Sequence, residues 1–228
     1  MLSAAAWQAL SASLVVGARA VAIGLPIALG VAWLLVRKRF PGRTLLDAVV
    51  HAPLVLPPVV VGYALLLVFG IQGPVGRWLD ATFGTRLVFT SAGASLAAGV
   101  MAFPMMVRAI RLALEGIDPG LELAARSLGA RSIDRFLTIT LPLALPGIIA
   151  AAIVGFAACL GEFGAVITFA ANIPGVTQTL PLAIYSALQT PGGEDTALKL
   201  ALISLSVAVV ALIAAEVLGR WARRWAVR

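Results

Sequence analysis

The sequence predicts an all-α integral membrane protein of about five transmembrane helices, and three observations carry that prediction. Hydrophobic residues make up 61% of the 228 positions and charged residues only 12%, where a soluble domain carries about 25% charged residues. Five runs dominated by Ala, Val, Leu and Ile each reach the roughly 20 residues of helix that cross a hydrocarbon core about 30 Å thick. Basic residues collect in alternate connections between those runs. A soluble globular fold is excluded. A helical bundle is a better reading than a β-barrel, whose strands alternate in polarity over about 10 residues, whereas these runs are apolar on every side.

The first run, Ser11 to Val36, follows an N-terminus (MLSAAAWQAL) without a basic residue. It lacks the n-region of a cleavable signal peptide and is expected to stay in the chain. Arg19, a third of the way along, is expected to snorkel to the outer headgroups; attraction of a passing anion is the competing role. The second run, Val49 to Phe69, contains Pro53, Pro57 and Pro58. Prolines inside a helix remove backbone hydrogen bonds, so kinks are expected there, either as pivots or as static shape. The third run is Leu87 to Val107 and the fourth Pro146 to Ala170. Gly147, Ala150, Ala151, Gly155 and Ala158 on the fourth suit close helix approach. The fifth run is Ala197 to Leu218, and the whole chain, 1–228, reads as a single transmembrane domain.

Orientation follows from the basic residues. Of the seventeen Lys and Arg, thirteen fall in the connections after the first, third and fifth runs, including Arg37, Lys38, Arg39, Arg43, Arg108, Arg111, Arg126, Arg131 and Arg135. Positive residues stay cytoplasmic, which predicts the N-terminus outside and the C-terminus inside. The net charge of +7 is thereby a topology signal, and no nucleic-acid partner is expected.

The cytoplasmic connection from Arg108 to Pro142 carries helix punctuation of its own. Asp118 before Pro119 forms an N-cap with a proline at the first helical position, and Gly129 stands where a left-handed C-terminal cap falls. A helix from Pro119 to Leu128 is predicted. Leu121, Ala124, Ala125 and Leu128 share one face, and Glu122 and Arg126 are expected to pair at i, i+4. So short a helix is marginal alone in water and must dock. Two readings stand: it lies on its own bundle or at the lipid interface, or it docks on another protein.

Charged groups inside spans are costly and mark candidates for function. His51 beside Asp47 predicts a local polar contact, and Glu216 with Arg220 an ion pair at the inner edge. Glu162, between Gly161 and Phe163, is the strongest candidate. A carboxylate repels an oxyanion, so it is expected to hold a gate by accepting from backbone donors or a cation. The outer connection from Asn172 to Thr196 predicts a short helix with Leu182, Ile184, Tyr185 and Leu188 on its apolar side. With the connection Gly73 to Thr85, it is expected to dock a partner and cover the outer gate.

The run Leu123-Ala124-Ala125-x3-Gly129-x9-Ile139-x-Leu141-Pro142 resembles the cytoplasmic E-A-A-x3-G-x9-I-x-L-P motif of ABC-importer permeases, with Leu123 in place of the acidic first letter and Glu122 just before it. Further segments, RKRFPGRTLLDAVVHAPLVLPPVVVGYALLLVFG, MAFPMMVRAIRLALEG, TLPLALPGIIAA and GEFGAVITFAANIPG, resemble the molybdate branch of the type I permeases, with sulfate permeases as the nearest relatives. The resemblance implies a permease of an importer in the bacterial inner membrane. It implies a permease homodimer, two cytoplasmic ABC ATPase subunits and an extracytoplasmic molybdate-binding protein. In its terms the ATPase-coupling residues are Glu122, Leu123, Ala124, Ala125, Arg126 and Gly129. The pathway or gate candidates are Gly161, Glu162, Gly164, Pro57 and Pro58. Sulfate or tungstate transport is the alternative.

The sequence contains no G-x-x-x-x-G-K-S/T phosphate loop, so ATP hydrolysis belongs to a partner and no cofactor is expected. One His and one Cys, Cys159, supply neither a metal cluster nor a nucleophile with its base, which argues against an intramembrane enzyme. A non-transporting scaffold fits the composition equally well but leaves the cytoplasmic motif unexplained.

Overall fold

The computed structural model describes residues 3–226. Among them lie eleven α-helices and one π-helical turn, and no strand. Helix α1, Ala4–Arg37, starts on Ser3, whose hydroxyl accepts from the Ala6 N–H, and runs 34 residues through Pro26 without interruption. The expected second span is not one rod. It is divided into α2, Arg43–Val55, and α3, Pro58–Phe69. Leu56 and Pro57 are extended, with ψ of 142° and 135°, because a residue that precedes a proline is pushed out of the helical region. The Gly73 to Thr85 connection likewise contains a helix, α4, Pro74–Phe83, bent by 48° from α3.

Helix α5, Ser91–Glu115, is capped by the Thr90 hydroxyl and continues two turns past the predicted end of its span. Then come the short α6, Pro119–Ser127, the single turn α7, Ser132–Arg135, the π-turn Phe136–Thr140, and α8, Leu141–Gly161. The fourth span thus starts earlier than predicted and ends at Gly161, where the chain breaks before α9, Gly164–Ala170. Helix α10, Leu180–Leu188, and the long α11, Glu194–Ala226, complete the order. Four helices are long and apolar enough to cross a membrane, and the bent α3–α4 pair brings the number to five. The expected Glu216–Arg220 pair lies outside the described residues, as do the side chains of Arg223, Arg224 and Arg228.

Helix α5 is the hub of the bundle, packed against α1, α2, α3, α8 and α9. Its Ala94, Ala97, Ala98 and Ala102 are fully buried. In lipid the apolar effect does not drive helices together, so such small residues bring backbones close enough for dispersion to do so. On α8, Gly155 receives Met106 of α5, where an added Cβ would lie 2.6 Å from its Cγ. Ala151 is buried in the same seam, whereas Ala150 faces outward.

At one end of the bundle, Arg111 of α5 bonds both Asp47 of α2, at 3.2 Å, and Glu115, at 2.8 Å. His51 Nδ1 lies 3.2 Å from Asp47 Oδ1 and 2.9 Å from its carbonyl oxygen, the local contact expected from the sequence. At the other end, α10 packs on α1 and α11, and its Leu180 N–H donates to Ser13 Oγ at 2.7 Å. Its buried face is Leu180, Leu182 and Ala183, while Tyr185 and Leu188, expected on the apolar side, are exposed. The preceding loop is pinned by the fully buried Thr177, which accepts from the Ile173 N–H and donates to the Ala171 carbonyl.

Candidate coupling and pathway sites

The short helix forms where the punctuation places it. Asp118 Oδ1 accepts from the Gly120 N–H at 2.8 Å, Pro119 occupies the first turn, and the helix ends at Ser127. Gly129 follows with φ of +85°, a conformation that costs a residue with a Cβ about 1–2 kcal/mol.

No residue of α6 is buried. Leu121, Leu123 and Leu128 are 47%, 60% and 89% exposed. The helix therefore does not lie with its leucines on its own bundle; it projects them. Ala125 is half-buried, and Leu123, Ala124 and Arg126 are exposed.

What holds α6 in place differs from the sequence expectation. Glu122 does not pair with Arg126. Its Oε1 accepts from Thr140 Oγ1 at 2.9 Å and lies 2.9 Å from Arg37 Nη2, at the end of α1. The Arg37 contact is an ion pair by distance whose angle falls short of a hydrogen bond. Competition explains the change: both partners are largely buried, Thr140 2% and the Arg37 side chain 18% exposed. A charge-assisted bond away from water is stronger than a solvated i, i+4 pair of about 0.2–0.5 kcal/mol. Arg126 is left at the surface.

This tether ties the short helix to two membrane helices at once, α1 through Arg37 and α8 through the π-turn that contains Thr140. Trp33 reinforces it, packing edge-on against Phe136 at 6.2 Å with Lys38 over its ring at 5.5 Å. Glu122→Ala should raise hydrogen exchange across residues 119–127 by about tenfold, because the loss of a charge-assisted bond of about 1.5–3 kcal/mol favours local opening. Unchanged exchange there would show that the tether is idle.

The five pathway candidates converge at one place. The α2–α3 break at Pro57 and Pro58 meets the α8–α9 break at Gly161, Glu162 and Gly164. A Cβ on Gly164 would lie 2.7 Å from Pro58 Cβ, and one on Gly62 of α3 would lie 2.7 Å from Thr168 Cβ of α9. Glycine on each side lets the two half-helices approach closely. Beside them opens a cavity of about 370 Å³, bordered by Leu56, Pro58, Met101, Met105, Gly161 and Glu162.

Glu162 is half-buried and turned inward, with Oε1 accepting from the Ala165 N–H at 2.8 Å. The carboxylate caps the first turn of α9, where the backbone dipole favours negative charge. Glu162→Ala should lower the midpoint of thermal unfolding in detergent, reflecting about 0.5–2 kcal/mol of lost capping, and Glu162→Gln, which retains an acceptor, should lower it less. Equal midpoints for all three proteins would contradict the capping role.

Phe163 at the same break packs against Tyr185 of α10, with ring centroids 5.3 Å apart, which links the break to α10. Neither Phe163, Tyr185, Arg37 nor Thr140 was singled out by sequence reasoning as a partner in these sites. Ala171, just after α9, has φ of 60° and ψ of −171°, a strained region for any residue but glycine. Its geometry is held by Thr177 and by the bond from Gln178 Nε2 to Asn172 Oδ1.

Residues 22–224 match the family model of the binding-protein-dependent transport system inner membrane component. The chain is 55% identical over 222 residues to the molybdenum transport system permease protein ModB of Escherichia coli (strain K12), covering 97% of each. It is 40% identical over 158 residues to the sulfate transport system permease protein CysT of the same organism, covering 69% of this chain and 57% of that one. Among solved structures, a bacterial ABC transporter involved in the import of the acidic polysaccharide alginate superposes with a TM-score of 0.77 at 18% identity, over 96% of this chain and 80% of that one. The fold is that of the type I ABC-importer permeases, and the chain belongs to the family of binding-protein-dependent transport system inner membrane components.

Proposed function

We propose that the chain is the permease of an importer that moves molybdate into the cytoplasm, as a homodimer with two cytoplasmic ABC ATPase subunits and an extracytoplasmic molybdate-binding protein. The observation that carries the substrate is the 55% identity to ModB across 97% of both chains, against 40% to CysT over 69% of this one. The N-terminus lies outside and the C-terminus inside. Two ion pairs, Arg37 with Glu122 and Arg111 with Asp47, each join residues assigned to the cytoplasmic side, which supports this orientation.

Work enters through α6. Its exposed leucines fit an apolar cleft of the ATPase, and Glu122 relays the displacement to α1 and α8. A motor in a soluble partner shifts a membrane equilibrium only through contacts that differ between its states. Gly129 lets the chain turn back sharply after that contact.

The gate is the junction of the two helix breaks. Pro57 and Pro58 fix one break and Gly161 opens the other, so Gly164 slides against Pro58 without a side chain between them. A carboxylate in the path of a dianion would oppose its passage. Glu162 commits its Oε1 to the Ala165 N–H, and the anion is left to meet backbone and hydroxyl donors, which bind without trapping as a full positive charge would.

The test is uptake of labelled molybdate, tungstate and sulfate into proteoliposomes that contain the complete complex. ATP-dependent accumulation of molybdate in preference to sulfate is expected. Preferential sulfate uptake would assign the chain to the sulfate branch, and no uptake of any oxyanion by an intact, ATP-hydrolysing complex would defeat the reading.

A further inference from the structure

A groove of about 490 Å³ runs between α1 and α5 and shares no lining residue with the cavity at the two helix breaks. Ile23, Ile27, Leu96, Val100 and Phe103 wall it, and Arg19 borders it. Ile23 and Ile27 are 67% and 55% exposed, so the groove opens sideways. Arg19 is exposed as well, and its guanidinium donates to Ser91 Oγ at 3.0 Å. No carboxylate among the described residues pairs with it.

The spacing of charged residues along α1 and α5 bears on the depth of this arginine. Arg19 and Arg37 bracket an uncharged stretch, Ala20 to Val36, and eighteen helical steps span about 27 Å, close to the hydrocarbon thickness of about 30 Å. With Arg37 at one headgroup level, Arg19 lies at the other. On α5 the uncharged stretch from Ser91 to Val107, before Arg108, sets Ser91 at the same level. The apolar walls then descend from the headgroups toward mid-membrane.

We propose that this groove holds one glycerophospholipid of the bilayer, its phosphate on the Arg19 guanidinium beside Ser91 and an acyl chain laid along Ile23, Ile27 and Val100. A hydrated oxyanion on its way through the protein finds nothing to replace its water on such walls. A hydrocarbon chain does fit them, and the volume falls within the roughly 300–1,000 Å³ of ligand cavities. The charge at the mouth matches a phosphate, for which a planar guanidinium is a preferred partner. The site rests on the membrane setting alone and not on which anion is transported.

Native mass spectrometry of the protein, purified from membranes in mild detergent with its co-purifying subunits, tests the site. The parent protein is expected to retain about one phospholipid per chain and Arg19→Lys to keep it, while Arg19→Ala weakens retention about tenfold or more through loss of a charge-assisted bond. Ile23→Trp, which fills the groove and leaves Arg19 in place, should also release the lipid. Retention at the parent level in both Arg19→Ala and Ile23→Trp overturns the proposal. So does disulfide crosslinking of Ile23→Cys to Ala92→Cys of a second copy in a lipid-free protein, which would make the groove an interface between copies. Lipid retention is read without transport, so molybdate uptake in the same preparations separates failure here from failure of the proposed function.

Discussion

Leu128→Asp should leave the membrane bundle intact and reduce capture of the ATPase subunit by more than about tenfold. Leu128 is 89% exposed, so the substitution removes no contact within the chain. Burying a leucine in a partner contributes about 1.5–3 kcal/mol, and an unpaired carboxylate in the same cleft adds a desolvation penalty. About 1.4 kcal/mol is a factor of ten in affinity, and the proposed homodimer would present the defect twice. The measurement is co-purification in detergent, followed by substrate-stimulated ATPase activity. Leu128→Met, which keeps size and polarity, serves as the control. Ordinary capture and stimulation with Leu128→Asp would show that α6 is not the docking element.

The second large effect is expected at the opposite end of the mechanism. Gly164→Leu should abolish most uptake, by about tenfold or more, while ATPase capture stays near the parent level. A Cβ at this position already falls 2.7 Å from Pro58 Cβ, so a leucine forces α9 away from α3. Overpacking of this kind costs about 1–3 kcal/mol. The same shift draws the Ala165 N–H off Glu162. Helix α8 separates the break from the π-turn by twenty-one residues, roughly 30 Å of helix, so the coupling segment is not disturbed directly. Gly164→Ala should show a smaller loss. Uptake at the parent rate with Gly164→Leu would remove the junction from the pathway.

The parts legible in the sequence are those whose causes are local. Asp118, Pro119 and Gly129 place α6 within a residue of its observed ends because caps act within one turn. The apolar runs placed the bundle because hydrocarbon thickness sets their length. Prolines 57 and 58 signalled a disturbance, but whether a helix kinks or parts depends on the tertiary packing around it, and here α9 packs against both α3 and α5. Glu122 illustrates the other limit. Its neighbour Arg126 was visible at i, i+4, while its real partners, Arg37 and Thr140, become neighbours only after α1 and α8 have packed. The meeting of the two breaks is tertiary in the same way: the prolines marked a disturbance in the second run, the fourth run read as continuous through Gly161, and their contact arises only on packing.

The small residues that make α5 the hub also have a bearing on biogenesis. Alanine and glycine let neighbours approach, but they partition into lipid less eagerly than leucine and isoleucine, and α5 is the least apolar of the four long helices. The rod on which the others are mounted is therefore the one the translocon has least reason to release into the bilayer. Its entry must lean on α1, already threaded and lying alongside it, so that the order of synthesis becomes part of how this protein is built.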